Sequence, residues 1–117
     1  MKKLPRTTAK RSPCPIATTL DVVGDKWTLL LVRDMGIFGR HRNKEFQQGK
    51  EGIPSNILAD RLKSMLAHGL IRKEQYQAHP PRYEYHLTEA GQDLLPIARA
   101  MAQWGADHVA GIRIPKH

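Results

Sequence analysis

The stretch Ile53-Pro54-Ser55-Asn56-Ile57-Leu58-Ala59-Asp60-Arg61-Leu62-Lys63-Ser64-Met65-Leu66-Ala67-His68-Gly69-Leu70 decides how this chain is read. At 3.6 residues per turn, Leu58, Leu62, Met65 and Leu66 share one face, with Asn56, Asp60, Lys63, Ser64 and Ala67 opposite. That outer face is short-chained and hydrogen-bonding, where an ordinary solvated face holds more Glu and Lys. Pro54 and Ser55 supply a start, because proline suits the first turn and serine can cap free N–H groups. Gly69 supplies the stop. The expected helix spans about 54–68, with a plain surface helix as the competing use of the same pattern.

Working outward, residues 40–48 hold a brief third helix, with Asn43 as its expected cap and Phe46 pinned inward. Gln48 to Gly52 is a turn, so the two helices form a helix–turn–helix. Two helices precede them. Pro13 to Val23 carries Ile16, Leu20 and Val23 on one face, and Gly24-Asp25 breaks it. Lys26 to Phe38 carries Trp27, Leu30, Leu31 and Met35, with Asp25 as its cap and Gly36 and Gly39 closing it. Trp27 is large enough to anchor a small core.

Past Gly69 the period changes. Leu70 to Tyr76 can run extended and Tyr83 to Leu87 alternates with period two. Gln77 to Arg82 is the loop between them, its Pro80-Pro81 forbidding helix and ladder donation. Helix–turn–helix plus hairpin is the winged-helix plan, with a wing at about 71–87. In DNA-binding versions the second helix of the pair enters the major groove. Thr88-Glu89-Ala90-Gly91 opens the last helix, with Thr88 as cap, and Pro96 either starts that helix late or kinks it. Its stripe of Leu94, Leu95, Ala98, Met101, Ala102, Gly105 and Val109 is longer than a small winged helix needs. Part of it is expected to be a dimer interface, with intrachain packing as the alternative.

The chain of 117 residues is one domain by length, 40% hydrophobic and 26% charged, with a net charge of +8. Residues 1–11 hold five Lys or Arg and no acid, and residues 40–82 hold nine basic residues against four acidic. A basic middle between neutral flanks suggests a polyanion partner. No apolar run reaches membrane-spanning length and no signal-peptide core follows the basic start, so a cytoplasmic protein is expected. The single cysteine, Cys14, fits a reducing compartment. The expected layout is a mobile basic arm over 1–12, a winged-helix DNA-binding and dimerisation domain over 13–112, and a tail over 113–117. The fold class is mainly α with a small β-hairpin (α+β), extended by N- and C-terminal dimerisation helices.

Base readout requires side chains with paired donors and acceptors near the start of the helix. Asn56 suits adenine. Ser55 suits a base, a phosphate or its own helix cap. Ala59 or Ile57 could touch a thymine methyl, Ile57 being otherwise a flanking core residue. Asp60 could accept from cytosine, or else orient Arg61 or Lys63, and Lys63 could reach a base or a phosphate. Arg42, Lys44, Arg61, Lys73 and Arg82 are the phosphate and wing candidates, Arg82 also as a minor-groove probe. Phosphate contacts set register and base contacts set sequence.

An enzyme reading finds no support. The six histidines lack metal-ligand spacing, Cys14 has no evident His and Asn partners, and no Gly-rich phosphate loop occurs. No cofactor or metal is expected, and His68 reads as a helix-end cap. The rival is a winged helix used as a protein-interaction module without specific DNA binding.

Placed in order, these residues resemble the HxlR family of bacterial winged-helix transcription regulators. The matching pieces are Cys14-Pro15, Gly24-Asp25-Lys26-Trp27, Gly52-Ile53, Leu58-Ala59-Asp60-Arg61-Leu62 and Gly69-Leu70-Ile71. They continue through Pro80-Pro81-Arg82-Tyr83-Glu84-Tyr85-His86-Leu87-Thr88-Glu89-Ala90-Gly91 to Trp104. Two stretches depart from the pattern: His41 to Phe46, where an Arg-Phe pair is usual, and the polar Gln48 to Glu51. The resemblance implies a homodimer joined through terminal helices, with Ile16, Leu20, Ala98, Met101, Ala102, Gly105 and Val109 as interface candidates, on a partly palindromic double-stranded operator. It also implies that Cys14, made more acidic by a helix N-terminus, is a candidate sensor of oxidants or electrophiles. A buried structural thiol is the alternative, and any small-molecule effector is undefined.

Overall fold

In the computed structural model, which describes residues 11–115, the chain runs α1 (Pro15–Val23), α2 (Thr28–Gly36), α3 (Asn43–Gln47), α4 (Ser55–Ala67), β1 (Ile71–Gln77), β2 (Arg82–Leu87), α5 (Glu89–Gln92) and α6 (Leu95–His108). The winged-helix order expected from the sequence is the observed one. Most of the basic arm assigned to residues 1–12, and the last two residues of the 113–117 tail, lie outside the described residues.

Several boundaries differ for identifiable reasons. α1 starts at Pro15 rather than Pro13, with Cys14 in the cap position and the proline where its missing N–H costs nothing. α2 starts at Thr28 rather than Lys26. The Asp25 carboxylate accepts from the Trp27 and Thr28 amides, both at 2.9 Å, and from Thr28 Oγ1 at 2.5 Å, which fixes the first turn there. In α3 the expected Asn43 cap is not the observed one. Asn43 is already helical, and Glu45 Oε1 reaches back to accept from the His41 and Arg42 amides at 2.9 and 3.0 Å.

α4 follows Pro54 in extended conformation, so Ser55 is the first helical residue and makes no capping bond. At its other end Gly69 has φ +73, a left-handed turn that favours glycine. His68 Nδ1 donates to Ser64 O at 2.9 Å, a second bond to a last-turn carbonyl that also accepts from the His68 amide.

β1 and β2 form a two-stranded antiparallel hairpin, from Ile71 opposite Leu87 to Gln77 opposite Arg82, with an irregularity that leaves Tyr76 out of register. The predicted last helix is two helices. Thr88 accepts from the Gly91 amide and starts α5, which ends before α6 begins with Pro96 in its first turn. Thr88 Oγ1 also donates to Gly69 O at 2.6 Å. A side chain at Gly91 would run into Leu70 O, so this glycine lets the wing's exit close against the end of α4.

The core lies where α2, α3, α4 and the base of the wing meet, and Val32, Phe46, Leu58, Met65 and Leu31 are its most enclosed apolar side chains. Ile57 packs against that core and does not stand fully outward. Below it a charged network ties the turn before α4 to α2. Arg33 bonds both Asp34 (2.8 Å) and Glu51 (3.0 Å), and Arg40 approaches Asp34 at 3.2 Å. Burial pushes the Asp34 carboxyl up, against the downward pull of Arg33 and Arg40. None of the described helices is long and apolar enough to cross a membrane.

Candidate nucleic-acid interface

The apolar face of α4 is held by the core through Leu58, Leu62 and Met65. Helical geometry then dictates what the opposite face carries. Ser55, Asn56, Ala59, Asp60 and Lys63 are all exposed there, so the five base-reading candidates share one accessible surface.

The phosphate candidates divide into two groups. Lys44 and Arg82 are exposed and form no ion pair among the described residues. Arg42, Arg61 and Lys73 are engaged within the chain. Arg42 lies 3.9 Å from the centroid of the Tyr76 ring and bonds Glu84 at 3.0 Å, joining α3 to the wing. Lys73 sits over the Tyr83 ring at 4.2 Å. Arg61 turns back to Asp60 (2.7 Å) and to Asp25 at the head of α2 (3.4 Å).

The wing is fastened at its base as well. The Tyr85 amide donates to His41 O, His41 Nδ1 donates to Tyr85 O at 2.9 Å, and the His41 and His86 rings stack at 4.1 Å. His86 Nε2 donates to Glu84 Oε1 at 3.2 Å. That bond, followed by the Arg42 pair, holds the Glu84 carboxyl below the usual range. The His41 amide lowers Glu45 in the same way; burial pushes back, and the Arg42 amide adds to the lowering. At Asp25, burial pushes upward but is outweighed by the bonds from Thr28 and from the Trp27 and Thr28 amides, and by the Arg61 charge. The Arg61 guanidinium is raised, first by its bond to Asp60 and, against burial, by Asp25.

A second surface lies on the far side. Ile16 is 72% exposed, Met101 57% and Trp104 62%, and α6 buries none of its residues completely. An open groove of about 570 Å³ runs between α1, α2 and α6, lined by Ile16, Leu20, Leu29, Leu30, Ile97 and Met101. Of the expected interface residues, Ala102 and Val109 are exposed and Ala98 and Gly105 half-buried. The stripe named from sequence missed Ile97 and Trp104, although their spacing with Met101 (i, i+4, i+7) marks one face. Cys14 is exposed at the N-cap of α1, where the Ala17 and Ile16 amides lower its thiol pKa.

Residues 22–112 match the family model described as HxlR-like helix-turn-helix. The HTH-type transcriptional regulator YybR of Bacillus subtilis strain 168 is 40% identical over 92 residues, 79% of this chain and 73% of that protein. A crystal structure of a transcriptional regulator assigned to the MarR family, from Porphyromonas gingivalis W83, superposes with a TM-score of 0.75 at 33% identity. The match covers 88% of this chain and 100% of that one. The reduced form of the redox regulator HypR superposes with a TM-score of 0.74 at 36% identity, over 83% of this chain and 95% of that one.

Proposed function

Because this chain belongs to the HxlR-like helix-turn-helix family and is a transcriptional regulator of the winged helix-turn-helix type, not an enzyme, we propose that it binds double-stranded operator DNA sequence-specifically as a homodimer. α4 enters the major groove, the wing lies on the backbone or in the minor groove, and two copies meet through α1 and α6. The observation that carries this reading is the exposed row Ser55, Asn56, Ala59, Asp60 and Lys63, on a helix whose other face is locked in the core. Asn56, in the first turn of α4 and carrying an amide that can pair with adenine N6 and N7, is the leading base reader. Lys44 and Arg82, which border one open pocket between α3 and the wing, are the leading phosphate ligands, while Arg42 and Lys73 shape the wing. Two copies would present two such rows, which suits a partly palindromic site. A gel-shift titration on random duplex at two salt concentrations tests the reading. Binding that weakens steeply with salt is expected. Binding indifferent to salt, or none, favours a protein-interaction module.

Cys14 is proposed as an oxidant-responsive thiol. It is exposed at a helix N-terminus with a lowered pKa, and a relative 36% identical in sequence is named a redox regulator. Its thiolate would attack a peroxide oxygen, forming a sulfenic acid and releasing the second oxygen as hydroxide. Mass spectrometry after mild peroxide treatment is expected to show one added oxygen on Cys14 and weakened or strengthened operator binding. An unmodified thiol with unchanged binding rejects the role.

A further inference from the structure

Asp60 poses a physical problem that the structure resolves. A carboxylate on a groove-facing helix is repelled by DNA phosphates, yet Asp60 stands exposed in the middle of the row formed by Asn56, Ala59 and Lys63. Arg61 Nη2 donates to Asp60 Oδ2 at 2.7 Å. The guanidinium thus occupies one carboxylate oxygen and cancels much of its charge, leaving Oδ1 with its lone pairs available. Arg61 is itself held in place, because its other end approaches Asp25 Oδ1 at 3.4 Å and its side chain is only 24% exposed. Asp25 is fixed in turn by its bonds to Trp27 and Thr28 at the head of α2. A chain of alternating charge, Asp25–Arg61–Asp60, therefore runs from the start of α2 to the groove-facing side of α4.

We propose that Asp25 and Arg61 are specificity-positioning residues that hold Asp60 as a hydrogen-bond acceptor selecting cytosine, an inference that rests on α4 being the DNA-reading helix. The base chemistry is asymmetric. Cytosine presents an N4 amino donor to the major groove, whereas guanine presents only the N7 and O6 acceptors, which repel a carboxylate. Adenine offers a donor beside an acceptor, so it pairs less well with an acceptor-only group. Arg61 acts through Asp60 in this arrangement, and Asp25 acts through Arg61.

Selection from a random duplex pool, run with the wild type and four variants, tests the proposal. The wild type is expected to enrich cytosine at one position of the site, by roughly tenfold over guanine. Asp60→Ala is expected to flatten that position and leave the others unchanged. Asp60→Asn is expected to shift it toward adenine, which an amide can pair with at N6 and N7. Arg61→Lys keeps the charge but loses the two-pronged fork, so it is expected to weaken the same position alone. In an Asp60→Ala background it should change nothing further there. Cytosine enrichment that survives Asp60→Ala, or an Arg61→Lys variant that loses preference at all positions alike, overturns the proposal. The second result would mean that Arg61 supports the fold only. Asp60 is exposed, so Asp60→Asn keeps the test decisive if the arginine variant folds poorly. A wild type that recovers no shared sequence overturns the DNA reading itself, and with it this inference.

Discussion

Helices α4 and α6 are nearly the same length, 13 and 14 residues, and both carry an apolar stripe, yet they end in opposite states. Leu58, Leu62 and Met65 of α4 are each at most 3% exposed, whereas Met101 and Trp104 of α6 are 57% and 62% exposed. α4 is completed by its own chain, through α2, α3 and the wing, so its polar side is free to meet something else. α6 closes on α2 through Leu95 near Gly36, and its Ile97–Met101–Trp104 side stays 41–62% exposed among the described residues. An apolar pattern thus predicts burial without saying which molecule supplies the other side. The hydrogen-bonding outer row of one helix and the exposed apolar row of the other suit partners of different chemistry.

The largest expected effect breaks this contrast at the level of stability. Leu62→Ala should cost about 2–5 kcal/mol of unfolding free energy, since a buried leucine is removed from a packed site. Met101→Ala should cost well under 1 kcal/mol in dilute, monomeric protein, because an exposed side chain loses little. Denaturant titration of both variants checks the pair, and equal losses would mean that α6 is packed after all. Next, Met101→Asp should weaken self-association by about 2 kcal/mol or more, as expected when a charge enters an apolar interface centre. Sedimentation at several concentrations reads this directly. An unchanged association constant would move the interface elsewhere.

On the α4 side the effects are smaller and chemical. Asn56→Ala should cost ~1–3 kcal/mol at the operator and relax preference at one base pair. A binding profile across mismatched operators identical to wild type would remove Asn56 from base reading. Arg82→Ala should weaken all sequences alike and reduce the slope of log affinity against log salt by about 1. An unchanged slope would take the wing tip off the backbone.

The smallest effect is a pH signature at the start of α3. The folded protein holds the Glu45 carboxyl below its ordinary range, first through the His41 amide and, against burial, through the Arg42 amide. Its contribution to stability is therefore complete above the ordinary glutamate range and is lost as pH falls through the lowered folded value. Glu45→Gln should flatten this part of the acid limb in thermal melts by lowering stability near neutrality, while leaving it little changed at the acid end. An acid limb identical to wild type would mean that the cap carries no net energy.

Much of the fold was legible because it depends on local chemistry. The Asp25 bonds to the amides at the head of α2, the Gly69 stop, the Thr88 start and the inward Phe46 each follow from one residue type at one position, and each is present. The errors came from contacts between residues distant in sequence or from competition among caps. Asn43 was a reasonable cap on propensity, but the longer Glu45 side chain reaches two free amides at once. Pro96 left the last helix ambiguous, and the chain resolved it by ending α5 before α6 begins.

At the site, the α4 row was readable from periodicity alone, but the engagement of the cations was not. Arg42 meets Glu84 across 42 residues, and Arg61 meets Asp25 across the helix–turn–helix. Neither pair has a spacing that a sequence pattern would single out.

Hydroxyl-radical footprinting on an operator selected by the wild type tests most directly the claim that α4 reads DNA while α6 joins the copies. Two protected tracts related by two-fold symmetry and about one helical turn apart are expected, giving way to a single weaker tract with the Met101→Asp variant. A single tract with the wild type, or two tracts that persist unchanged in the variant, would contradict this division of labour.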